Sequence, residues 1–389
     1  MSKLDELIQE LCPEGVEYMQ LGAIEDAGLI KLGRGSVISK KDIAAEPGDY
    51  PIYSSSASGV GEFGRYGKYM FDDERLSWSV DGGGRFFYRH PHKYSVTNVS
   101  GWLKVLDSSR IDIKYLFYAL DSAWSTKKFD YTKKAHPSVI RNEYKIPLLP
   151  LEVQKEIASI LDKFTQLEAE LSAELEARRK QYEYYTSKLF LFGDEVESIE
   201  LKNIADFSQG VQVDPSRQSL DKKEGYVRFL RIVDFVKENE PPRYISDPGQ
   251  RYLKKEGDLV MIRYGASAAG RVFMNSKGAI ANNMFQIKIK APNISTKYIY
   301  YYLAQPSVYR NLNSNGGGST MPAITFGQVG SVKIPIPSLE DQRKIVSIFE
   351  KFDTMTNDLS QGLPAEINAR RKQYEYYRTK LLTFQELSA

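Results

Sequence analysis

Nine residues occur twice in this chain: ARRKQYEYY spans 177–185 and again 369–377. A repeat of that length within 389 residues marks a duplication, so the fold must contain two copies of one building block. The likeness extends upstream. Ile146-Pro147 followed by Leu151, Glu152, Gln154, Ile157, Ser159, Ile160 and Phe164 returns as Ile334-Pro335 followed by Leu339, Glu340, Gln342, Ile345, Ser347, Ile348 and Phe352. Further back, VEYMQLGAI from Val16 matches VESIELKNI from Val196, and KYLFYAL from Lys114 matches KYIYYYL from Lys297. Each half is a divergent block, an Ile-Pro turn and a repeated block.

Spacing makes the repeated blocks helices. From Ile157 the positions Leu161, Phe164, Glu168, Leu171, Leu175, Arg178, Tyr182, Tyr185 and Leu189 follow in steps of four and three, mostly apolar, which is the seam of a coiled coil. A helix over 152–189 would be roughly 55 Å long. The second block keeps the steps through Ile345, Phe349, Phe352, Thr356, Leu359 and Leu363, then takes an extra step of four to Ile367 before Arg370, Tyr374, Tyr377 and Leu381. This stutter lies beside Gly362 and Pro364 and predicts a local unwinding or kink. Two matching seams point to a mutual pair; the alternative is a helix packed only on its own domain. Connectivity makes a mutual pair antiparallel. It would set the divergent domains at opposite ends and return the second helix beside the first domain and the N-terminal arm.

The expected fold is α+β: two globular mixed α/β domains separated by two long helices in an antiparallel coiled coil, pseudo-twofold and near-circular. Its parts are an amphipathic arm at 1–13, a first domain at 14–150, a central spacer helix at 151–192, a second domain at 193–337 and a distal spacer helix at 338–389. Strand-like runs punctuated by glycine fill the domains, with short helices at Ile113 to Trp124 and Ser295 to Gln305.

Charge and motifs narrow the function. The net charge of +3 excludes a histone-like polycation but permits local basic surfaces. Residues 16–150 hold about 19 Lys/Arg against about 16 Asp/Glu, and residues 196–337 about 19 against about 12. That charge is interleaved with Tyr, Phe, Asn, Ser and Gly, which suits phosphate contacts and base-edge reading. The lone Cys12 forms no internal disulfide, and no apolar run reaches the roughly 18 residues of a membrane span. The start MSKLDELIQEL lacks a signal peptide's features, so a cytoplasmic location is expected.

No catalytic constellation stands out. Gly59, Gly61 and Gly64 fit GxGxxG but lack the flanking strand and helix of a dinucleotide site. Glu240 to Tyr244 reads EPPRY, best taken as a turn; His90 and His92 lack metal-ligand neighbours at useful spacing; Gly316 to Thr320 has no P-loop lysine. Neither catalytic residues nor a metal site is expected in this chain. Chemistry would be delegated to a partner.

The doubled helical block, the opening LDELIQELCPEGVEYMQLG, the stretch YPIYSSSASGVGEFGRYGKYMF and the closing LPAEINARRKQYEYYRTKLLTF together resemble the specificity (S) subunits of type I restriction-modification systems, over essentially the full length. The resemblance implies two target recognition domains that each bind half of a split DNA site, with the helices setting their separation. It implies two modification subunits methylating adenine with S-adenosylmethionine, and two restriction subunits using ATP and Mg, in a system of phage defence.

Candidate residues follow. For DNA contact the first domain offers Arg65, Lys68, Arg85, Arg89 and Lys93, and the second Arg263, Arg271, Asn282, Asn283, Ser319 and Thr320; the plain alternative for each is a turn residue or surface charge. The coiled-coil seam is Leu161, Phe164, Leu171, Leu175, Tyr182, Tyr185, Phe349, Phe352, Leu363, Tyr374 and Tyr377. Off that seam, Arg179, Lys180 and Tyr184 recur as Arg371, Lys372 and Tyr376. A face shown twice suits two copies of one partner, against the alternative of a solvated helix face. Two rival functions remain open: a bivalent structural scaffold that never touches nucleic acid, and a DNA enzyme with an unrecognised site.

Overall fold

The computed structural model describes residues 3–55, 59–81, 83–129, 133–237, 240–265, 268–274, 276–314, 323–358 and 360–387. The chain forms two compact units, residues 1–172 with 366–389 and residues 173–365.

In the first unit a four-stranded antiparallel sheet runs in the order Ile30–Arg34, Ser100–Val105, Arg75–Ser79, Phe86–Arg89. A smaller mixed sheet sets Tyr50–Tyr53 between Glu62–Tyr66, antiparallel, and Ser95–Val96, parallel. The helix Ile113–Trp124 starts at Asp112, whose carboxylate accepts the Lys114 and Tyr115 amides at 3.0 and 2.8 Å, satisfying two of its free N–H groups. Leu116 and Leu120 from this helix join Leu76, Trp78, Phe86 and Leu103 from the sheet in one buried core.

The long helix Leu151–Lys188 begins inside that core. Val153, Ile157 and Leu161 are fully buried there, so its first turns are domain structure and not free coiled coil. Gln154 fastens the start. Its amide oxygen accepts the Asp112 N–H at 2.8 Å while its nitrogen donates to the Arg110 and Leu149 carbonyls. The hydroxyl of Tyr115 donates to the Pro147 carbonyl at 2.8 Å, tying the Ile-Pro strand to the same joint. Strand Tyr18–Gln20 pairs with Lys145–Pro147, and the C-terminal segment closes beside it: Val16 N–H donates to the Gln385 carbonyl and Leu387 N–H to the Val16 carbonyl.

The second unit has the same internal plan. Its antiparallel sheet runs Ala205–Gln209, Met284–Ile289, Leu259–Ile262, Val272–Phe273, and its mixed sheet Arg243–Ser246, Tyr226–Leu230, Gly278–Ile280, Leu253–Lys254. A helix at Thr296–Leu303 answers the one at Ile113–Trp124. The joint recurs as well: Gln342 accepts from Ser295 N–H at 2.8 Å and donates to the Asn293 and Pro337 carbonyls, and Tyr298 donates to the Pro335 carbonyl.

Helix pairing is visible inside each unit. In the first, Phe164 stacks on Tyr377 with centroids 5.4 Å apart and Glu168 accepts from Arg371 at 2.6 Å; in the second, Tyr182 meets Phe352 and Phe190 stacks on Phe349. Rising numbers on one helix meet falling numbers on the other, so both contacts are antiparallel. Leu171, Leu175, Leu363 and Tyr374 are half-buried. Tyr185 and Tyr377 are 37% and 39% exposed yet pack across the pair, on Phe352 and Phe164. Leu359 lies outside the described residues.

The stutter is sharper than a kink. The distal block is two helices, Leu339–Asn357 and Leu363–Leu382, not one. Gly362 donates its N–H to the Asp358 carbonyl at 3.0 Å, and a Cβ there would stand 2.3 Å from the Thr354 oxygen. Pro364 falls in the first turn of the new helix, where its missing N–H costs nothing.

Candidate nucleic-acid interface

The two divergent domains share a corner of backbone that their sequences conceal. In the first, the Gly35 amide donates to the Ser100 carbonyl and Ser36 to Val96; in the second, Gly210 donates to Met284 and Val211 to Ile280. Thr97 to Tyr53 corresponds to Ala281 to Leu230, and Val80 to Val99 corresponds to Arg263 to Asn283, at 2.9 Å in both domains. Ser79 to Arg85 and Ala135 to Val80 find their counterparts in Ile262 to Arg271 and Ile324 to Arg263. A Cβ on Gly35 would lie 2.2 Å from the Val96 oxygen, and one on Gly210 2.2 Å from the Ala281 oxygen. Only glycine permits that close approach.

This correspondence was missed in the sequence because main-chain hydrogen bonds leave no side-chain signature. The signal available was Gly35 and Gly210, each following the paired VE anchors at Val16 and Val196.

Side chains at the shared corner differ. Val80, Val99 and Thr97 stand where the second domain has Arg263, Asn283 and Ala281. Of the second-domain candidates, Arg263, Arg271, Asn282 and Asn283 all fall at this corner. The Arg263 guanidinium lies 4.8 Å from the Tyr264 ring centroid. Asn282 donates to Gln212 Oε1 at 3.3 Å, and the Asn283 side-chain oxygen is buried with no donor. Arg271 is exposed. Ser319 and Thr320, with Gly316 to Gly318, lie outside the described residues.

The first-domain candidates separate. Arg65 is bonded to both oxygens of Glu62 and to the Asp49 carbonyl, and Lys68 is paired with Glu46 at 2.7 Å. Lys93 lies 4.8 Å from the Tyr69 ring centre and 5.5 Å from that of Tyr50. Arg85 is exposed near Phe87.

Arg89 corrects the sequence reading. It is 4% exposed and is withdrawn from any ligand surface. Its guanidinium donates to Ser77 Oγ and to the Val60 carbonyl, both at 2.8 Å, and lies 3.7 Å from the Tyr53 ring centre. Burial without a carboxylate partner pushes its pKa down to about 10. Arg89 thus ties the strand Phe86–Arg89 to Val60, while Thr97 Oγ1 donates to Ser54 Oγ and Ser79 Oγ to the Ser55 carbonyl.

Other motifs resolve locally. His92 has one ring nitrogen 3.1 Å from the Tyr53 hydroxyl and the other 2.6 Å from the His90 carbonyl, which leaves neither for a metal. Gly61 and Gly64 flank the start of the strand Glu62–Tyr66, not a helix. Glu240 and the Pro241 carbonyl accept from Arg231, but the segment is not a turn: Arg243 and Tyr244 open the strand Arg243–Ser246. Among the described residues there is no group of three or more His, Cys, Asp or Glu positioned to hold a metal, and no helix is long and apolar enough to cross a membrane.

The repeated helical face is exposed. Tyr184 and Tyr376 are 59% and 63% accessible, each edge-on to the next tyrosine at 5.6 and 5.3 Å. Arg179, Lys180 and Lys372 are also exposed, Lys180 being paired with Glu176 at 2.8 Å. Arg371 is already engaged by Glu168 across the helix pair.

The family model of the type I restriction modification DNA specificity domain matches this chain twice, over residues 13–177 and 193–369. The chain belongs to that family. As a type I specificity subunit it serves DNA sequence recognition in a restriction-modification system. A type I restriction enzyme specificity subunit of Escherichia coli is 31% identical over 301 residues, 72% of each chain. A putative type I specificity subunit of Mycoplasma pneumoniae is 26% identical over 376 residues, covering 95% of this chain and 99% of its own. The crystal structure of a type I restriction-modification system S subunit from M. genitalium matches with a TM-score of 0.60 at 19% identity, over 95% of this chain and 96% of that one. A structure from work on complex assembly and conformational transition of the type I R-M system matches at 0.59 and 15%, over 96% and 98%. Both likenesses support the α+β, two-domain specificity-subunit fold.

Proposed function

We propose that this specificity subunit reads a bipartite duplex target, one half-site per divergent domain, and directs adenine methylation by two modification subunits. Those partners would carry S-adenosylmethionine, and restriction subunits, where present, would supply ATP- and Mg-dependent cleavage. The observation that carries the reading is the shared corner: one main-chain frame built twice and furnished with different side chains. Two domains that must present the same edge to DNA yet read different bases need that combination. The paired helices then set the number of unread base pairs between half-sites, and the Tyr184 and Tyr376 faces dock the two partners. A genomic DNA target fits a cytoplasmic complex in which this chain contributes recognition and its partners the chemistry.

The test is to express the chain with the modification subunits of its own system and map methylated adenines across the genome. Two short motifs separated by a constant run of unspecified bases are expected. A single contiguous motif would overturn the bipartite reading. A purely structural scaffold predicts no duplex binding, whereas phosphate neutralisation predicts a gel shift that weakens steeply with salt.

A further inference from the structure

Resting on that DNA-reading function, we propose that Arg263 and Asn283 are the base-reading pair of the second half-site, and that the first domain reads no base from the same two frame positions. The pair sits together: the Arg263 main-chain amide donates to the Asn283 carbonyl at 2.9 Å. Strand Met284–Ile289 leads away from Asn283 toward Ser295, whose amide is clasped by Gln342. At about 3.3 Å per residue that strand spans roughly 20 Å, so Asn283 lies at the end of the strand away from Ile289.

Neither side chain makes a hydrogen bond or ion pair among the described residues. The contact of the Arg263 guanidinium with the Tyr264 ring fixes its plane while leaving the N–H edge free. That fork matches the O6 and N7 acceptors of guanine in the major groove. The Asn283 amide oxygen is buried without a donor; rotation of that amide outward on binding would satisfy it, presenting an acceptor and a donor that match the N6 donor and N7 acceptor of adenine. Arg271, exposed on the adjoining strand end, adds positive charge for phosphate. Asn282 differs from Asn283 in being held by Gln212.

The other domain supplies the contrast. Val80 occupies the Arg263 position and is fully buried, and Val99 occupies the Asn283 position. Toward the other end of the same strand the residues are alike, with Leu103, Lys104 and Val105 corresponding to Ile287, Lys288 and Ile289. Apolar side chains therefore fit this backbone, which makes valine a substitution the frame already accommodates.

The complex with modification subunits is prepared with the wild-type chain, Arg263→Val, Asn283→Val and Arg263→Lys, and methylated sites are mapped for each. Arg263→Val is expected to turn one fixed guanine of the second half-site into any base, with a 10- to 100-fold loss of discrimination there, while the first half-site is unchanged. Asn283→Val is expected to relax one adjacent position. Arg263→Lys keeps the charge and loses the fork, so it too should relax the guanine. An unchanged motif in the valine variants, a uniform fall in methylation with the motif intact, or full guanine preference in Arg263→Lys would each overturn the assignment while leaving the bipartite reading in place. A wild-type complex that yields no bipartite motif removes both.

Discussion

Gln154 and Gln342 do the same work at two places in the chain, and both are fully buried. Each satisfies a main-chain amide and a carbonyl before a domain helix, and a second carbonyl just before the start of a long helix. Replacing either with alanine strands a buried donor and two acceptors, at about 1–3 kcal/mol for the unsatisfied groups. Thermal unfolding of Gln154→Ala and Gln342→Ala should show midpoints lowered by several degrees, whereas Gln166→Ala, at an exposed helix position, should not. These glutamines were visible in the sequence only as members of the repeat. Nothing in their spacing announced a clasp, because two of the three partners of each are main-chain atoms more than 40 residues distant. Arg89 was hidden for a related reason: an arginine stabilised by a carbonyl, a hydroxyl and a ring has no acidic partner that would mark it as buried.

Among the elements, the helices were the most legible part. Their four-three spacing survives as Phe164 on Tyr377 and Tyr182 on Phe352. The depth of the stutter was less legible, since an inserted step of four fits either an unwound turn or the full break observed. Gly362 enforces the break. Gly362→Ala should destabilise the protein by about 1–3 kcal/mol, because its Cβ would press on three carbonyl oxygens, and chemical unfolding of the purified chain would read the change. If the helices act as a ruler, inserting one helical turn of four residues after Leu171 adds about 6 Å, close to two base-pair steps. Methylome mapping of that insertion should show a longer spacer between unchanged half-sites; altered half-site bases would speak against a ruler.

For the whole molecule, what repeats and what does not divide the labour. The helical face bearing Tyr184 or Tyr376 occurs once per unit, and each tyrosine leaves more than half its surface free. Tyr184→Ser and Tyr376→Ser singly should each leave a complex with one modification subunit in place of two, and the double variant none, as read by the mass of the co-purified complex. Serine variants that still bind two partners would return these tyrosines to ordinary solvated residues. Side-chain identity at the corner could be read from the sequence. The equivalence of the two corners could not, because it resides in backbone geometry.

One feature of the chain's division into units bears on its synthesis. Residues 173–365 form the second unit without interruption, but the first needs residues 366–389 as well as 1–172, and its edge near Val16 is completed by Gln385 and Leu387. A ribosome therefore releases everything the second unit requires while the first still lacks its closing segment. The half translated earliest is the half finished last, and a message truncated before the Gln385 codon would leave the first domain, not the second, with an open seam.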